Sequence, residues 1–165
     1  MAAKSWDGLQ PRLQPEGADI PEFMTLTEKA GQSFKAGCPL KLTTTAGTVE
    51  IVTAAACGFV GIALEDASGV TSAEIKVQIC RPDTPIVARV SSGGTLEVPS
   101  TAMITGVAYD LYLDANSVVT VDSASPGNAT LIYERPIFDV NGDETYWGIF
   151  RILPGQAGNI DEAAA

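Results

Sequence analysis

Apolar and polar residues alternate along most of the chain, as expected for strands with one buried face and one face in water. Ile75, Val77 and Ile79, for example, alternate with polar neighbours. Further segments of this kind, separated by turns rich in glycine, asparagine and serine, are 40–44, 48–53, 59–64, 85–91, 117–122, 130–134 and 145–152. The best candidate for a helix is the short segment 27–34, and Gly31 weakens it. We therefore predict an all-β protein, a compact barrel or sandwich of short antiparallel strands.

The two ends of the chain depart from this pattern. Residues 1–22 contain three prolines and follow neither a helical nor a strand period, so we predict an extended N-terminal arm that no strand of the domain uses. The β domain is expected over 23–153. Residues 154–165, rich in glycine and alanine, are expected to form a flexible tail.

A weak internal repeat appears when the chain is shifted by 69 positions, which lays residues 37–63 over residues 106–132. The coinciding pairs include Gly37 with Gly106, Leu42 with Leu111, Val49 with Val118, Val52 with Val121 and Gly58 with Gly127. Two explanations remain open. Either β meanders simply share a turn spacing, or the domain consists of two similar β units, at about 23–98 and 99–153.

The charge balance argues against two classes of partner. The chain has 10 basic and 20 acidic residues, a net charge of −10, and its basic residues are scattered singly. Such a chain repels phosphate backbones and anionic membrane surfaces. It also lacks an apolar run of roughly 18 residues that could span a bilayer. We therefore expect neither a nucleic acid nor a membrane as a partner.

The chain has no histidine, which removes the commonest general acid or base and the commonest metal ligand. Its three cysteines, Cys38, Cys57 and Cys80, form no Cys-x-x-Cys motif, and an odd number cannot all pair. They are interpreted either as reduced, buried core residues of a protein made in a reducing cytoplasm, or as one disulfide and one free thiol.

The strongest candidate for a metal site is the run from Asp139 through Asn141 to Asp143, with oxygen ligands at alternate positions. A calcium loop of the EF-hand type also needs glycine at its sixth position and glutamate at its twelfth, where this chain has Glu144 and Phe150. An Asn-Gly pair between two apolar segments is instead typical of a hairpin turn. No nucleophile motif and no phosphate-binding loop occurs, so we predict no metal, no cofactor and no catalytic residue.

Four consecutive segments resemble a known family. They are 34–42, 48–52, 60–67 with the sequence Val-Gly-Ile-Ala-Leu-Glu-Asp-Ala, and 74–79. Their order resembles that of the decoration (cement) proteins that bind the capsids of tailed bacteriophages. The resemblance covers roughly residues 31–91, a little over a third of the chain, and its short motifs consist of common residues.

The resemblance implies a structural virion protein without enzymatic activity. Such proteins form homotrimers on the capsid exterior, where they hold neighbouring copies of the major capsid protein together. After synthesis in the host cytoplasm, this protein would then be located on the virion. The alternatives are a component of the virion tail or fibre and, less favoured, a β-barrel enzyme that uses carboxylates such as Asp139 and Asp143.

Two sets of apolar residues are expected to make contacts. The arm carries more apolar side chains than a solubilising tail needs, so it is either a plain terminus or a segment that orders on the capsid or across a neighbouring decoration subunit. Its candidate capsid-contact residues are Trp6, Leu9, Leu13 and Ile20. The candidate residues of a subunit interface are Tyr146, Trp147 and Phe150.

Overall fold

A computed structural model of the 165-residue chain describes residues 10–11, 22–43, 47–52, 59–116, 118–126 and 130–154. These residues form strands and one short helix: β1 Gln10–Pro11, β2 Phe23–Glu28, β3 Pro39–Leu42, β4 Thr48–Ile51, β5 Phe59–Ala63, β6 Glu74–Ile79, β7 Ile86–Ser92, β8 Thr95–Leu96, α1 Pro99–Ala102, β9 Ala108–Leu113, β10 Val119–Pro126, β11 Leu131–Phe138 and β12 Glu144–Ile152. The prediction of an all-β protein with a barrel core is confirmed.

The first barrel is a closed ring of five strands in the order β2, β4, β3, β5, β6. Neighbouring strands are antiparallel except β2 and β4, which run parallel. The alternation of apolar and polar residues places the apolar side chains inside the barrel. On β6, Ile75 and Val77 point into the core, while Glu74 and Lys76 face water. Closure of the ring leaves this sheet without a free edge.

The second barrel repeats the same arrangement. β7, β10, β9, β11 and β12 pair in that order, and β12 returns to pair with β7, which closes the ring. Its first and third strands, β7 and β10, are again the parallel pair. The short strands β1 and β8 add to β7 outside the ring.

The two barrels match residue by residue as well as strand by strand. Pro39 pairs with Ile62 on the next strand, and Ala108 pairs with Ile132 in the same way. The tight turn before each second strand is also the same. Gly37, with a φ of 90°, donates to the carbonyl oxygen of Ala63 at 2.8 Å. Gly106, with a φ of 82°, donates to that of Tyr133 at 2.8 Å. The two barrels therefore share one topology. The repeat of 69 positions matches the structure only around β3 and β9, because Leu42 pairs with Val49 whereas Leu111 pairs with Val121, not with Val118.

The division between the barrels lies between β6 and β7, earlier than position 98. β7 falls within the predicted first unit, 23–98, but its hydrogen bonds go to β10 and β12. A single apolar core nevertheless runs through both barrels, with Phe34, Phe59, Tyr133 and Phe150 among its largest buried side chains.

Three local expectations are wrong. The helix candidate 27–34 is instead the end of β2 followed by turns, whereas α1 begins at Pro99, where proline is tolerated in the first helical turn. β2 and β9 were not among the predicted strand segments. Two residues of the arm also form a strand of the sheet, because Gln10 and Pro11 pair with Val87 and Ile86 of β7.

Two of the cysteines, Cys38 and Cys80, belong to the core of the first barrel. Cys38 and Cys80 are both buried, and burial raises the pKa of the Cys38 thiol and raises that of Cys80 to about 12. Cys57 lies outside the described residues. Cys38 and Cys80 are therefore core residues, and the prediction that they are reduced stays a prediction.

We expect iodoacetamide at pH 8 to alkylate Cys38 and Cys80 in the native protein slower than in urea by about two orders of magnitude or more, because the thiols are both inaccessible and protonated. Peptide mapping by mass spectrometry after timed labelling measures each site separately. Equal labelling rates in buffer and in urea would show that the first barrel opens readily.

Candidate interaction surface

The hairpin of β11 and β12 extends beyond the second barrel. β11 pairs with β9 only at Leu131 and Ile132, and β12 pairs with β7 only from Trp147 to Phe150. The outer halves of the two strands therefore pair with each other alone, at positions such as Phe138 and Glu144. The hairpin is a two-stranded extension from a closed ring.

The turn of this hairpin is formed by Asp139 and its neighbours. The carboxylate oxygen Oδ1 of Asp139 accepts hydrogen bonds from the backbone N–H groups of Asn141 at 2.8 Å and Asp143 at 3.0 Å. These donors hold the pKa of Asp139 below its usual value, and Gly142 supplies a positive φ of 86°. The hairpin-turn interpretation is confirmed. Within the described residues, no group of three or more acidic or cysteine side chains is placed to hold a metal ion.

Large apolar side chains are exposed on and beside the hairpin. Phe138 is 56% exposed, Val140 at the turn is 99% exposed and Tyr146 is 48% exposed. Ile104, in the segment that packs along the hairpin, is 69% exposed. We call these four residues the hairpin patch. Several exposed apolar side chains on one element mark a contact site more often than a single exposed apolar residue does.

The segment from α1 to Gly106 holds the hairpin in place. The backbone N–H and the hydroxyl of Ser100 both donate to the carboxylate of Glu144, the first at 2.7 Å. The hydroxyl of Thr105 donates to the carbonyl oxygen of Glu134 at 3.3 Å. These contacts attach the outer part of both strands to the rest of the barrel, so the patch rests on a supported element.

The equivalent region of the first barrel has a different structure. Its loop between β5 and β6 folds back over the barrel end, where the buried carboxylate of Glu28 accepts hydrogen bonds from Ser68 and Gly69. At the position equivalent to Ile104, the first barrel has Lys35, whose ammonium lies 2.8 Å from Asp66. This pairing lowers the pKa of Asp66 and raises that of Lys35. An ion pair thus stands where the second barrel exposes an apolar side chain.

The structure places the three predicted interface residues in different environments. Phe150 is fully buried, with its ring centroid 5.6 Å from that of Tyr133, so it cannot take part in a subunit contact. Trp147 is half-buried, and the guanidinium of Arg89 lies 5.3 Å from its ring centroid. Tyr146 alone belongs to the exposed patch. The expectation is corrected for Phe150, because it lies on the part of β12 that faces the core.

The predicted capsid-contact residues of the arm, Trp6, Leu9, Leu13 and Ile20, lie outside the described residues. The prediction for them stands unchanged.

Sequence reasoning missed Ile104, Phe138 and Val140. Val140 carried a usable signal, because an apolar residue within an Asp-Val-Asn-Gly turn has no place in a core. Ile104 and Phe138 carried none, since exposed and buried apolar residues look alike in a strand pattern.

A comparison with known protein families finds no match to this chain, and a comparison with curated proteins also finds none. None of the helices in the described part of the chain has the length and apolar character needed to cross a membrane.

Proposed function

We propose that this protein is a structural virion protein that binds the outside of a tailed-phage capsid as a homotrimer and stabilises the coat lattice. The sequence resemblance of residues 31–91 to decoration proteins supports the class. The hairpin patch is the observation that carries the binding role, and we assign it to the contact with the major capsid protein.

The shape of the patch suits this role. A two-stranded extension with apolar side chains at its end can enter a depression between coat subunits, which a smooth barrel wall cannot do. Because the turn and the α1 segment already hold the hairpin, docking would cost little conformational entropy. The net charge of −10 also disfavours competition for packaged DNA.

The main rival, a tail or fibre component, differs in copy number. Quantitative mass spectrometry of purified virions gives the ratio of this protein to the major capsid protein. A copy number close to that of the coat supports decoration, whereas a few copies per virion would identify a tail component and overturn the proposal.

Replacing Phe138, Val140 and Tyr146 together by serine should weaken binding to capsids stripped of this protein at least tenfold, a loss of about 1.4 kcal/mol. The reason is the loss of apolar surface from the contact, while the turn contacts of Asp139 remain. Co-sedimentation of the purified variant with capsids at a series of concentrations measures the dissociation constant.

The matched control replaces three exposed apolar residues of the first barrel, Phe23, Leu64 and Val70, by serine. It should bind capsids as the unaltered protein does, with both triple variants folded by circular dichroism. If the hairpin variant binds unchanged, or the control variant loses as much affinity, the hairpin patch does not contact the coat.

A further inference from the structure

Two hairpin turns of the second barrel have matching hydrogen bonds. One joins β9 to β10 over residues 114–118, and the other joins β11 to β12 over residues 139–143. Each turn begins with an aspartate whose N–H donates to the carbonyl oxygen of the last residue, at 3.0 Å in the first turn and 2.8 Å in the second. Oδ1 of the same aspartate accepts the N–H groups of the third and fifth residues. In both turns the third residue is an exposed asparagine, Asn116 or Asn141.

The two turns differ in the residue that follows the asparagine. The sequence has Ser117 in the first turn and Gly142 in the second, and it contains no asparagine–glycine pair other than Asn141–Gly142. Because glycine has no Cβ, its backbone nitrogen can approach a neighbouring side chain more closely than the nitrogen of serine can. Gly142 is exposed, and a Cβ built on it would meet no atom of the described residues within 4 Å beyond its chain neighbours. The space beside this residue is therefore open to water.

We propose that Asn141 is a site of spontaneous deamidation, at which the asparagine converts to aspartate and isoaspartate without an enzyme. The backbone nitrogen of Gly142 attacks Cγ of Asn141, and the bond from Cγ to the side-chain nitrogen breaks. Ammonia leaves, and the proton lost by the nitrogen of Gly142 passes to it through the solvent. The product is a five-membered succinimide ring. Water then opens the ring at either carbonyl carbon, which gives aspartate or isoaspartate without any oxidant or reductant.

The hydrogen bonds of the turn slow this reaction. The N–H of Gly142 donates to the carbonyl oxygen of Asp139 at 3.2 Å, and it has to be released before the nitrogen can attack. The N–H of Asn141 is also held, by Oδ1 of Asp139 at 2.8 Å. An exposed turn at the end of a two-stranded extension opens locally at a low cost in free energy. The turn therefore delays the conversion without preventing it.

The conversion changes the hairpin patch. Position 141 follows Val140, which is 99% exposed at the turn. Aspartate places a negative charge next to this side chain, and isoaspartate also lengthens the backbone of the turn by a methylene group. A charge that is buried in an apolar contact without a partner is unfavourable. A converted molecule should therefore bind the coat more weakly, a consequence that rests on the proposed function.

Incubation of the purified protein at neutral pH, followed by peptide mapping with mass spectrometry, measures the conversion of each asparagine separately. We expect Asn141 to convert at least tenfold faster than Asn116 in the same molecule, a difference of about 1.4 kcal/mol in activation free energy. Both aspartate and isoaspartate should form, because the ring opens in two directions. Aspartate alone would indicate direct hydrolysis of the side-chain amide and would overturn the proposed reaction.

Two substitutions exchange the residues that follow the asparagines. Ser117→Gly should raise the conversion rate of Asn116 by about tenfold or more, and Gly142→Ser should lower that of Asn141 by about as much. Serine at position 142 is strained by the positive φ of 86°, so circular dichroism checks that this variant folds. If it does not fold, Ser117→Gly decides the matter alone. The proposal is overturned if Asn141 converts no faster than Asn116, or if Ser117→Gly leaves the rate at Asn116 unchanged.

The effect on the hairpin patch has a separate test. Asn141→Asp carries the charge of the converted turn, and Asn116→Asp makes the same change in the other turn as a matched control. In co-sedimentation with capsids, Asn141→Asp should bind about tenfold more weakly than the unaltered protein, and the control should bind as the unaltered protein does. Equal binding by the two variants would overturn the effect on the patch, whereas the conversion is measured without any capsid. Failure of the unaltered protein to bind capsids would instead overturn the proposed function.

Discussion

Replacing Gly61 by alanine is expected to destabilise the protein by about 3 kcal/mol or more, at or beyond the upper end of the usual cost of overpacking a core. Gly61 lies in the middle of β5 and pairs with Leu40 on one side and Ile79 on the other. A Cβ at this position would overlap the carbonyl oxygen of Gln78 and lie 2.8 Å from Cγ1 of Val77. The carbonyl oxygen of Gln78 belongs to the backbone of a strand in a closed ring. The added methyl group therefore fits only if the strand β6 itself moves.

The comparison variant is Gly148→Ala on β12. Its Cβ would meet the ring of Phe150 at 2.9 Å, and the edge of a ring can shift, so we expect a smaller loss, of about 1–2 kcal/mol. Urea unfolding followed by circular dichroism gives both values, provided that the slope of the transition is unchanged.

The second barrel has Leu131 at the position equivalent to Gly61, and it pairs with Ile152 as Gly61 pairs with Ile79. The need for glycine therefore comes from the close approach of β6 to β5, not from the topology. An unchanged urea midpoint for Gly61→Ala would contradict this explanation and show that β6 can take the spacing of the second barrel.

Period-two alternation was sufficient to predict most strands, because it depends only on which side of a sheet is buried. Alternation could not predict which strands pair with each other. The parallel pairing of the first and third strands in each barrel therefore could not be predicted from it. The assignment of β7 to the first unit failed for this reason. The whole of β2 was missed, because its exposed Phe23 and its buried Glu28 run against the usual alternation of apolar and polar residues, and its end was included in a weak helical pattern over 27–34.

The aromatic residues of β12 show why the candidate site could be predicted only in part. Tyr146, Gly148 and Phe150 stand at alternate positions of the β12 sequence. Phe150 is buried because the barrel closes around it, whereas Tyr146 is exposed because β12 has left the ring by that point. The sequence pattern is the same at both positions. What distinguishes the two positions is a property of strand partners: pairing with β7 ends at Trp147, and the register with β11 shifts between Gly148 and Glu144.

Replacing Glu28 by valine is expected to lower the free energy of unfolding by about 3 kcal/mol, since hydrogen bonds to a charged group each contribute about 1.5–3 kcal/mol and the freed donors recover part of that from water. Glu28 is only 1% exposed, and its carboxylate accepts from the N–H and hydroxyl of Ser68 and from the N–H of Gly69. Valine is the residue that the second barrel has at the equivalent position, Val90, which is buried.

Replacing Glu28 should first destabilise the loop between β5 and β6, which the carboxylate holds in place. Gly69 and Ser72 have positive φ values of 74° and 62°, so the loop keeps a conformation that it would leave once released. We therefore expect amide hydrogen exchange over residues 66–73 to rise at low urea, before the barrel unfolds. Glu65→Val is the matched control, because Glu65 is exposed and accepts a single bond, from the N–H of Lys76 at 2.8 Å. The Glu65→Val substitution should lower the free energy of unfolding by less than about 1 kcal/mol. Normal protection of the loop in Glu28→Val would mean that the backbone bond from Ala67 to Phe34 holds it without the carboxylate.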